Sequence, residues 1–304
     1  MIYTVTFNPA IDYVIRLDRL QPGEINRNEA EEFQFGGKGI NVSNVLRTLG
    51  FDTVALGFVA GFIGEGFEKG LSAMGLKNEM IRVKEGMTRV NVKIKAAEET
   101  EINGIGPVIT ETDMETLYRK LDSIGPEDML VLSGSIPKCL PGDTYERIMA
   151  RLDGKNIPIA VDATKDLLVN VLKYRPFLVK PNNHELGEIF GKVLKTDEEI
   201  AECARKLQEK GGRNILVSMA GDGALLLDEN GGIHRIGCPK GKVVNSVGAG
   251  DSMVAGFVAG CLKKNDYAYA LRLGSACGNA TAFLPGLATR EKIEELMHIF
   301  ESQK

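Results

Sequence analysis

The sequence predicts an α/β protein: a mostly parallel central sheet covered by helices on both faces, with a small β-sheet lid. Three observations carry this. Apolar runs rich in Val, Ile and Leu alternate with amphipathic helical patterns along most of the 304 residues, as expected for buried parallel strands joined by crossover helices. Two stretches, 12–35 and 88–104, break that rhythm and alternate polar with apolar residues instead. No repeat, low-complexity tract or Pro/Ser-rich linker divides the chain, so residues 1–304 read as a single domain.

Taken in order, strands are expected at 3–7, 53–59, 129–133, 157–162, 177–179, 215–219 and 224–227. Amphipathic helices are expected at 41–49, 111–124, 142–152, 200–210 and 290–301. The last two strands are too close for a crossover helix, which predicts an antiparallel addition. The lid segments, for example Val90-Asn91-Val92-Lys93-Ile94-Lys95, read as an antiparallel sheet. Its apolar face needs a cover, which a ligand and a second subunit would supply.

Composition narrows the function. Apolar residues at 43% and charged residues at 26% fit a soluble globular chain. A net charge of −4 without a basic block argues against nucleic acid or an anionic membrane as the main partner. Any phosphate site must then be built locally. Five scattered cysteines and three histidines lack metal-ligand spacing, and the odd cysteine count suits reduced thiols in a cytoplasm. Asp12 and Arg16 interrupt the first apolar run, which is no signal peptide. The uncharged stretch 273–289 carries Asn279 and Pro285 and reads as a small-residue helix packed near a ligand rather than a membrane span.

The most telling segment is Asn245-Ser246-Val247-Gly248-Ala249-Gly250-Asp251-Ser252, followed by an apolar run to Leu262. Gly248, Ala249 and Gly250 let backbone N–H groups converge where a helix begins, and such a point binds anions. A carboxylate beside a bound phosphate is repulsive unless it takes the proton of an attacking hydroxyl. The plainer reading makes Asp251 a helix N-cap. Gly36-Gly37-Lys38-Gly39-Ile40-Asn41 opens another helix with bare backbone, a lysine and an amide, suited to a polyhydroxy or phosphorylated ligand; a simple helix-start turn is the alternative. After a buried strand, Lys180-Pro181-Asn182-Asn183-His184-Glu185 puts Asn182 and Glu185 on one first-turn face. There they would orient water around Mg²⁺ on a nucleotide, or simply cap the helix. His184 is read as solvent-facing. Ser218-Met219-Ala220-Gly221-Asp222-Gly223-Ala224 is fully explained by a hairpin turn. Arg89, in Thr88-Arg89-Val90-Asn91, suits a bidentate phosphate contact or an exposed lid position.

In this order the motifs resemble the ribokinase-like sugar kinases, in their phosphofructokinase-B branch, over the whole chain. Two signatures match as 36–43 and 245–251. Asn8-Pro9-Ala10-Ile11-Asp12 matches the substrate-binding start, and Asn182 to Glu185 matches the N-x-x-E motif. The resemblance implies a ribokinase-like three-layer α/β/α fold. It makes Asp251 the base and Gly248, Ala249 and Gly250 the anion hole. Asp12, Gly37, Lys38, Asn41 and Arg89 would hold the sugar phosphate, joined by Ser135 and Asn103, with Arg27 reaching this site or a partner subunit's. Asn182 and Glu185 would organise Mg²⁺ on ATP, mainly through water. Ser218, Gly221, Asp222, Gly223, Gly248 and Asn279 would line the nucleotide pocket. The implied assembly is a homodimer through the lid.

Within the branch, Lys38 together with Asn91-Val92-Lys93 implies transfer to O6 of fructose 1-phosphate. Tagatose 6-phosphate, or a non-catalytic sugar-phosphate sensor on the same scaffold, is the alternative. The chain departs from the family pattern at Ala220, where glycine is usual, and at 133–139, which lacks the second proline and glycine of the usual loop.

Overall fold

A computed structural model describes residues 1–302. From the N-terminus the chain forms β1 (Ile2–Thr6), β2 (Ala10–Arg16), β3 (Ala30–Gly36), α1 (Lys38–Thr48), β4 (Thr53–Val59), α2 (Gly61–Ala73) and β5 (Ile81–Arg82). It continues through β6 (Arg89–Lys95), β7 (Thr100–Asn103), α3 (Glu111–Asp122), β8 (Met129–Ser133), α4 (Thr144–Leu152), β9 (Ile159–Asp162), α5 (Lys165–Val171) and β10 (Leu178–Val179). The last third is α6 (Asn183–Phe190), α7 (Asp197–Glu209), β11 (Asn214–Ser218), β12 (Ala224–Leu227), β13 (Ile233–Ile236), α8 (Ala249–Lys264), α9 (Tyr267–Ala282) and α10 (Arg290–Ser302).

The main sheet has nine strands in the order β13-β12-β11-β10-β9-β8-β1-β4-β5. It is parallel from β5 to β11, and β12 and β13 add antiparallel at one edge. The close spacing of 215–219 and 224–227 predicted that addition. Successive side chains of one strand alternate between two buried layers. In β8, Leu130 and Leu132 pack with Leu117, Ile148 and Leu207 on one face. Met129 and Val131 pack with Val45, Phe257 and Leu273 on the other. The result is the expected three-layer α/β/α arrangement. Truncating one such leucine to alanine costs about 2–5 kcal/mol, because the cavity relaxes only partly.

Helix α2 was not expected. Its four glycines give it poor intrinsic propensity, and packing overrides that. A Cβ on Gly70 would lie 2.3 Å from the Phe35 ring, so the glycine is what lets the lid strand β3 rest on α2.

The second sheet runs β3-β2-β6-β7. The expectation of a wholly antiparallel lid is wrong, because β2 pairs with β6 in parallel. Each follows a strand of the parallel main sheet (β1 and β5), so both leave the body in the same direction. Asp12 lies opposite Gln34 and Asn91 on the polar face. On the other face Phe33, Tyr13, Val92 and Ile102 form one row across all four strands. Phe33 and Ile102 in that row are 62% and 61% exposed. Among the described residues no helix is long and apolar enough to cross a membrane.

Candidate active site

The lid's polar face and the carboxyl-terminal ends of the main sheet enclose a cavity of about 1490 Å³, roomy enough for two ligands side by side. One end of its floor is the start of α8. Gly248 caps that helix with φ +82, in the left-handed region. A Cβ there would meet the Leu287 side chain at 2.7 Å and the Asn41 amide at 3.4 Å. Conformation and space both require glycine.

Asp251 lies in the first turn of α8, is 5% exposed, and is not the cap. The N-cap alternative therefore falls. Its partner comes from α1: Asn41 Nδ2 donates to Asp251 Oδ2 at 2.8 Å. Burial, followed by the negative charge of Asp162, pushes the Asp251 carboxyl up to about 6. The Asn41 hydrogen bond and the charges of Lys38 and Lys180 oppose that rise. A carboxylate with this value is ionised at neutral pH yet basic enough to accept a proton in a transition state.

Asp162, the last residue of β9, is 3% exposed. Its Oδ2 faces Lys38 Nζ at 3.2 Å and its Oδ1 faces Lys180 Nζ at 3.3 Å. Burial alone would raise its pKa, but the ammonium groups of Lys180 and Lys38 outweigh burial and hold it below the ordinary carboxylate value. For Lys38, burial pulls down, while Asp162 and then Asp251 pull up and prevail.

On the lid side, Asp12 is held from two directions. Asn91 Nδ2 donates to its Oδ1 at 2.7 Å, and Lys93 Nζ pairs with its Oδ2 at 3.0 Å. Arg89 Nε donates to the Asn8 carbonyl at 3.1 Å, which fixes the guanidinium at the mouth of the cavity.

At the opposite end, Asn182 and Glu185 form a reciprocal capping box. Glu185 N–H donates to Asn182 Oδ1, and Asn182 N–H donates to Glu185 Oε2, both at 2.8 Å. The cap reading is thus realised, and both residues still line the cavity. Ser218, Gly221, Asp222, Gly223 and Asn279 line the same end. Ala220 takes φ +46, so the backbone keeps a left-handed turn although the residue is not glycine. Cys238 Sγ–H donates to Asn279 Oδ1 at 2.9 Å. Among the described residues no cluster of three His, Cys, Asp or Glu side chains can hold a metal by itself. Half-buried Glu185 on the cavity wall fits an ion carried mainly by phosphates and water, which is the usual habit of Mg²⁺.

The structure thus gathers Asp12, Gly37, Lys38, Asn41, Arg89, Asn182, Glu185, the Ser218–Gly223 turn, Gly248 to Asp251 and Asn279 around one cavity. It does not bring in Arg27, Asn103 or Ser135. All three are exposed and outside the lining. Arg27 lies in the loop between β2 and β3, Asn103 at the end of outer strand β7, and Ser135 past the turn that leaves β8. The sequence reading assigned no role to Asp162 or Lys180. Their signal was available, because Asp162 ends β9 and Lys180 follows β10, at the carboxyl ends of parallel strands, where α/β sheets bind ligands.

This chain is a carbohydrate kinase of the pfkB family, whose profile matches residues 5–293. A 1-phosphofructokinase from Bacillus subtilis is 45% identical over 297 residues, covering 98% of this chain and 97% of the relative. A D-tagatose-1-phosphate kinase from Bacillus licheniformis is 37% identical over 300 residues, covering 97% of each. Among solved structures, phosphofructokinase-2 from Escherichia coli in complex with fructose-6-phosphate superposes with a TM-score of 0.90, at 25% identity and 99% coverage of both chains.

Proposed function

We propose that this kinase transfers the γ-phosphoryl of Mg²⁺-ATP to the 6-hydroxyl of fructose 1-phosphate. The observation that carries the reading is the hydrogen bond from half-buried Asn41 to buried Asp251 at the start of α8. It lies in a cavity also lined by the cations Lys38 of α1 and Arg89 and Lys93 of the lid, and by the Ser218–Gly223 turn. Of these, Lys38 and Arg89 favour a phosphorylated acceptor over a neutral one.

In this reading Asp251 takes the proton of O6 as that oxygen attacks. The N–H groups of Gly248, Ala249 and Gly250 stabilise charge on the moving phosphoryl. Asp12, Gly37 and Asn41 hold the sugar, while Lys38 and Arg89 hold its 1-phosphate. Asn182 and Glu185 hold the water around Mg²⁺, which neutralises the triphosphate when bound. Ser218, Gly221, Asp222, Gly223 and Asn279 bind the nucleotide. The lid shields the reaction from water and limits ATP hydrolysis.

The row of Tyr13, Phe33, Val92 and Ile102 supports a homodimer through the lid, with Arg27 acting from the partner's side. Five unpaired cysteines support a reducing cytoplasm.

The B. licheniformis relative supports a second acceptor, tagatose 1-phosphate. It differs from fructose 1-phosphate only at C4 and presents the same O6. A coupled ADP-release assay over fructose 1-phosphate, tagatose 1-phosphate, fructose 6-phosphate, tagatose 6-phosphate and fructose tests both. The expected result is a kcat/KM for fructose 1-phosphate at least about tenfold above the rest, the worth of one good polar contact. Preference for a 6-phosphate would overturn the acceptor assignment.

A further inference from the structure

Between α8 and α9 lies a buried polar contact that packing alone does not call for. Ser252, in the first turn of α8, and Thr281, in the last turn of α9, are both fully buried, and their hydroxyls meet at 2.7 Å. Around them the two helices touch through bare glycines. A Cβ on Gly256 would lie 2.6 Å from the Leu273 carbonyl, and one on Gly278 would lie 3.1 Å from that of Ala249. In so dry a contact a hydroxyl is unfavourable unless its hydrogen bonds are made. Here they are made, and their direction is fixed.

A hydroxyl has one proton to donate. Ser252 gives its own to the Gly248 carbonyl at 2.9 Å, so Thr281 must donate to Ser252. Thr281 in turn accepts the Ala288 N–H at 2.9 Å. The chain runs one way, from Ala288 through Thr281 and Ser252 to Gly248. Packing closes it into a ring, because the side chain of Leu287, next to Ala288, lies 2.7 Å from where a Gly248 Cβ would be. The segment before the turn is tied to the same end of α9: the Val244 and Asn245 N–H groups donate to the Ala282 carbonyl at 2.8 and 3.2 Å. Gly248 is thus gripped from both sides while it holds φ +82. Neither hydroxyl lines the cavity, whereas Gly248 to Asp251, Leu287 and Ala288 all do.

We propose that Ser252 and Thr281 are positioning residues for phosphoryl transfer. Their hydroxyl chain holds the Gly248 cap in its left-handed conformation and so aims the free N–H groups at the start of α8. The proposal rests on the phosphotransfer reading above. A fully satisfied buried network rigidifies the backbone it joins, and donors stabilise a transition state only where their direction is set beforehand. Neither hydroxyl touches a reactant or exchanges a proton with one.

The test compares Thr281→Val, which keeps the shape and removes the hydroxyl, with Thr281→Ser, which keeps the hydroxyl. In the ADP-release assay with fructose 1-phosphate, Thr281→Val should lower kcat roughly tenfold or more, with KM for the ketose phosphate within about threefold. Thr281→Ser should restore kcat to within about threefold of wild type. A residue that only packs the helices would lower Tm in Thr281→Val and leave kcat of the folded protein within about threefold, which would overturn the proposal. Ser252→Ala removes the middle of the chain without added bulk, and it decides the matter if Thr281→Val does not fold. Its kcat should fall by a similar factor, and the double variant should fall no further than either single one. Losses that multiply would mean that the two hydroxyls do not act as one chain.

A second measurement needs no substrate. Nitrogen-15 relaxation should give backbone order parameters near 0.85 for Gly248, Ala249 and Gly250 in the wild-type chain and in Thr281→Ser, falling toward about 0.6 in Thr281→Val. Equal values in all three would overturn the proposal. Absence of wild-type turnover with every ketose phosphate would sink the acceptor reading instead, and the order parameters would still decide whether the chain holds the turn.

Discussion

Asn41 and Asp251 meet at 2.8 Å across 210 positions of sequence. The bond joins α1 to the first turn of α8 on the wall of the shared cavity. It orients the carboxylate and steadies its charged form. Replacing Asp251 with Asn should therefore lower kcat by roughly 10²-fold or more, as for loss of a positioned base. Near-normal turnover in a folded variant would show that the base lies elsewhere.

The same substitution should stabilise the protein. Asp251 has a folded pKa raised to about 6, above the ordinary value near 4. Its ionisation penalty is absent below that ordinary value, grows between about pH 4 and 6, and is fully felt above 6. At pH 8, Asp251→Asn should gain on the order of 1–3 kcal/mol. Denaturant unfolding at pH 8 and pH 4 checks this: the gain should shrink at the lower pH.

Activity should also fall as pH drops through the Asp251 value. The acid limb of kcat/KM is expected near pH 6. Because the Asn41 bond lowers the carboxyl's pKa, Asn41→Ala should move that limb to higher pH. The ketose phosphate ionises identically in both assays, so the difference reports on the enzyme. A limb that stays put or moves down would refute the pairing.

Arg89 is held by the Asn8 carbonyl through Nε alone. Arg89→Ala should raise KM for fructose 1-phosphate roughly tenfold or more, with a smaller change in kcat, through loss of a charge-assisted contact. An unchanged KM would move the phosphate subsite to other cations, with Lys93 the nearest candidate.

Ala220 occupies a left-handed conformation at φ +46. That costs a β-carbon-bearing residue about 1–2 kcal/mol, partly offset by the entropy a glycine would lose. Ala220→Gly is expected to leave stability unchanged or raise it by up to about 1 kcal/mol. A clear drop in Tm would mean that the alanine methyl makes a contact worth more than the strain.

Phe33 is 62% exposed and stacks on Tyr13 with ring centroids 4.8 Å apart. If this row is the dimer face, Phe33→Glu should turn a dimer into a monomer in light scattering, because a buried unpaired charge is costly. A monomeric wild-type protein at micromolar concentration would remove the dimer reading.

Local sequence carried much of this molecule. Runs such as Met129–Ser133 are apolar on both sides, so they can only be buried strands. Glycines at 248 and 250 before an acid mark a helix start whose free N–H groups suit an anion. What local pattern could not carry was decided by packing. The glycine-rich α2 forms because β3 must lie close against it, and β2 pairs in parallel with β6 because both leave a parallel sheet. Lys180 looked like a strand terminator's neighbour, and Asp162 like the end of a strand. Only in three dimensions do they share a buried ion pair beside Gly250. By itself the sequence determined the layers, the glycine-bearing start of α8 and the placing of Asp251 in its first turn, since each depends on neighbouring residues. The raised pKa of Asp251, the two-cation grip of Asp162 and the position of Arg27, Asn103 and Ser135 outside this chain's own cavity were decided by the tertiary structure. Burial and charge act through space, and residues far apart in sequence set both.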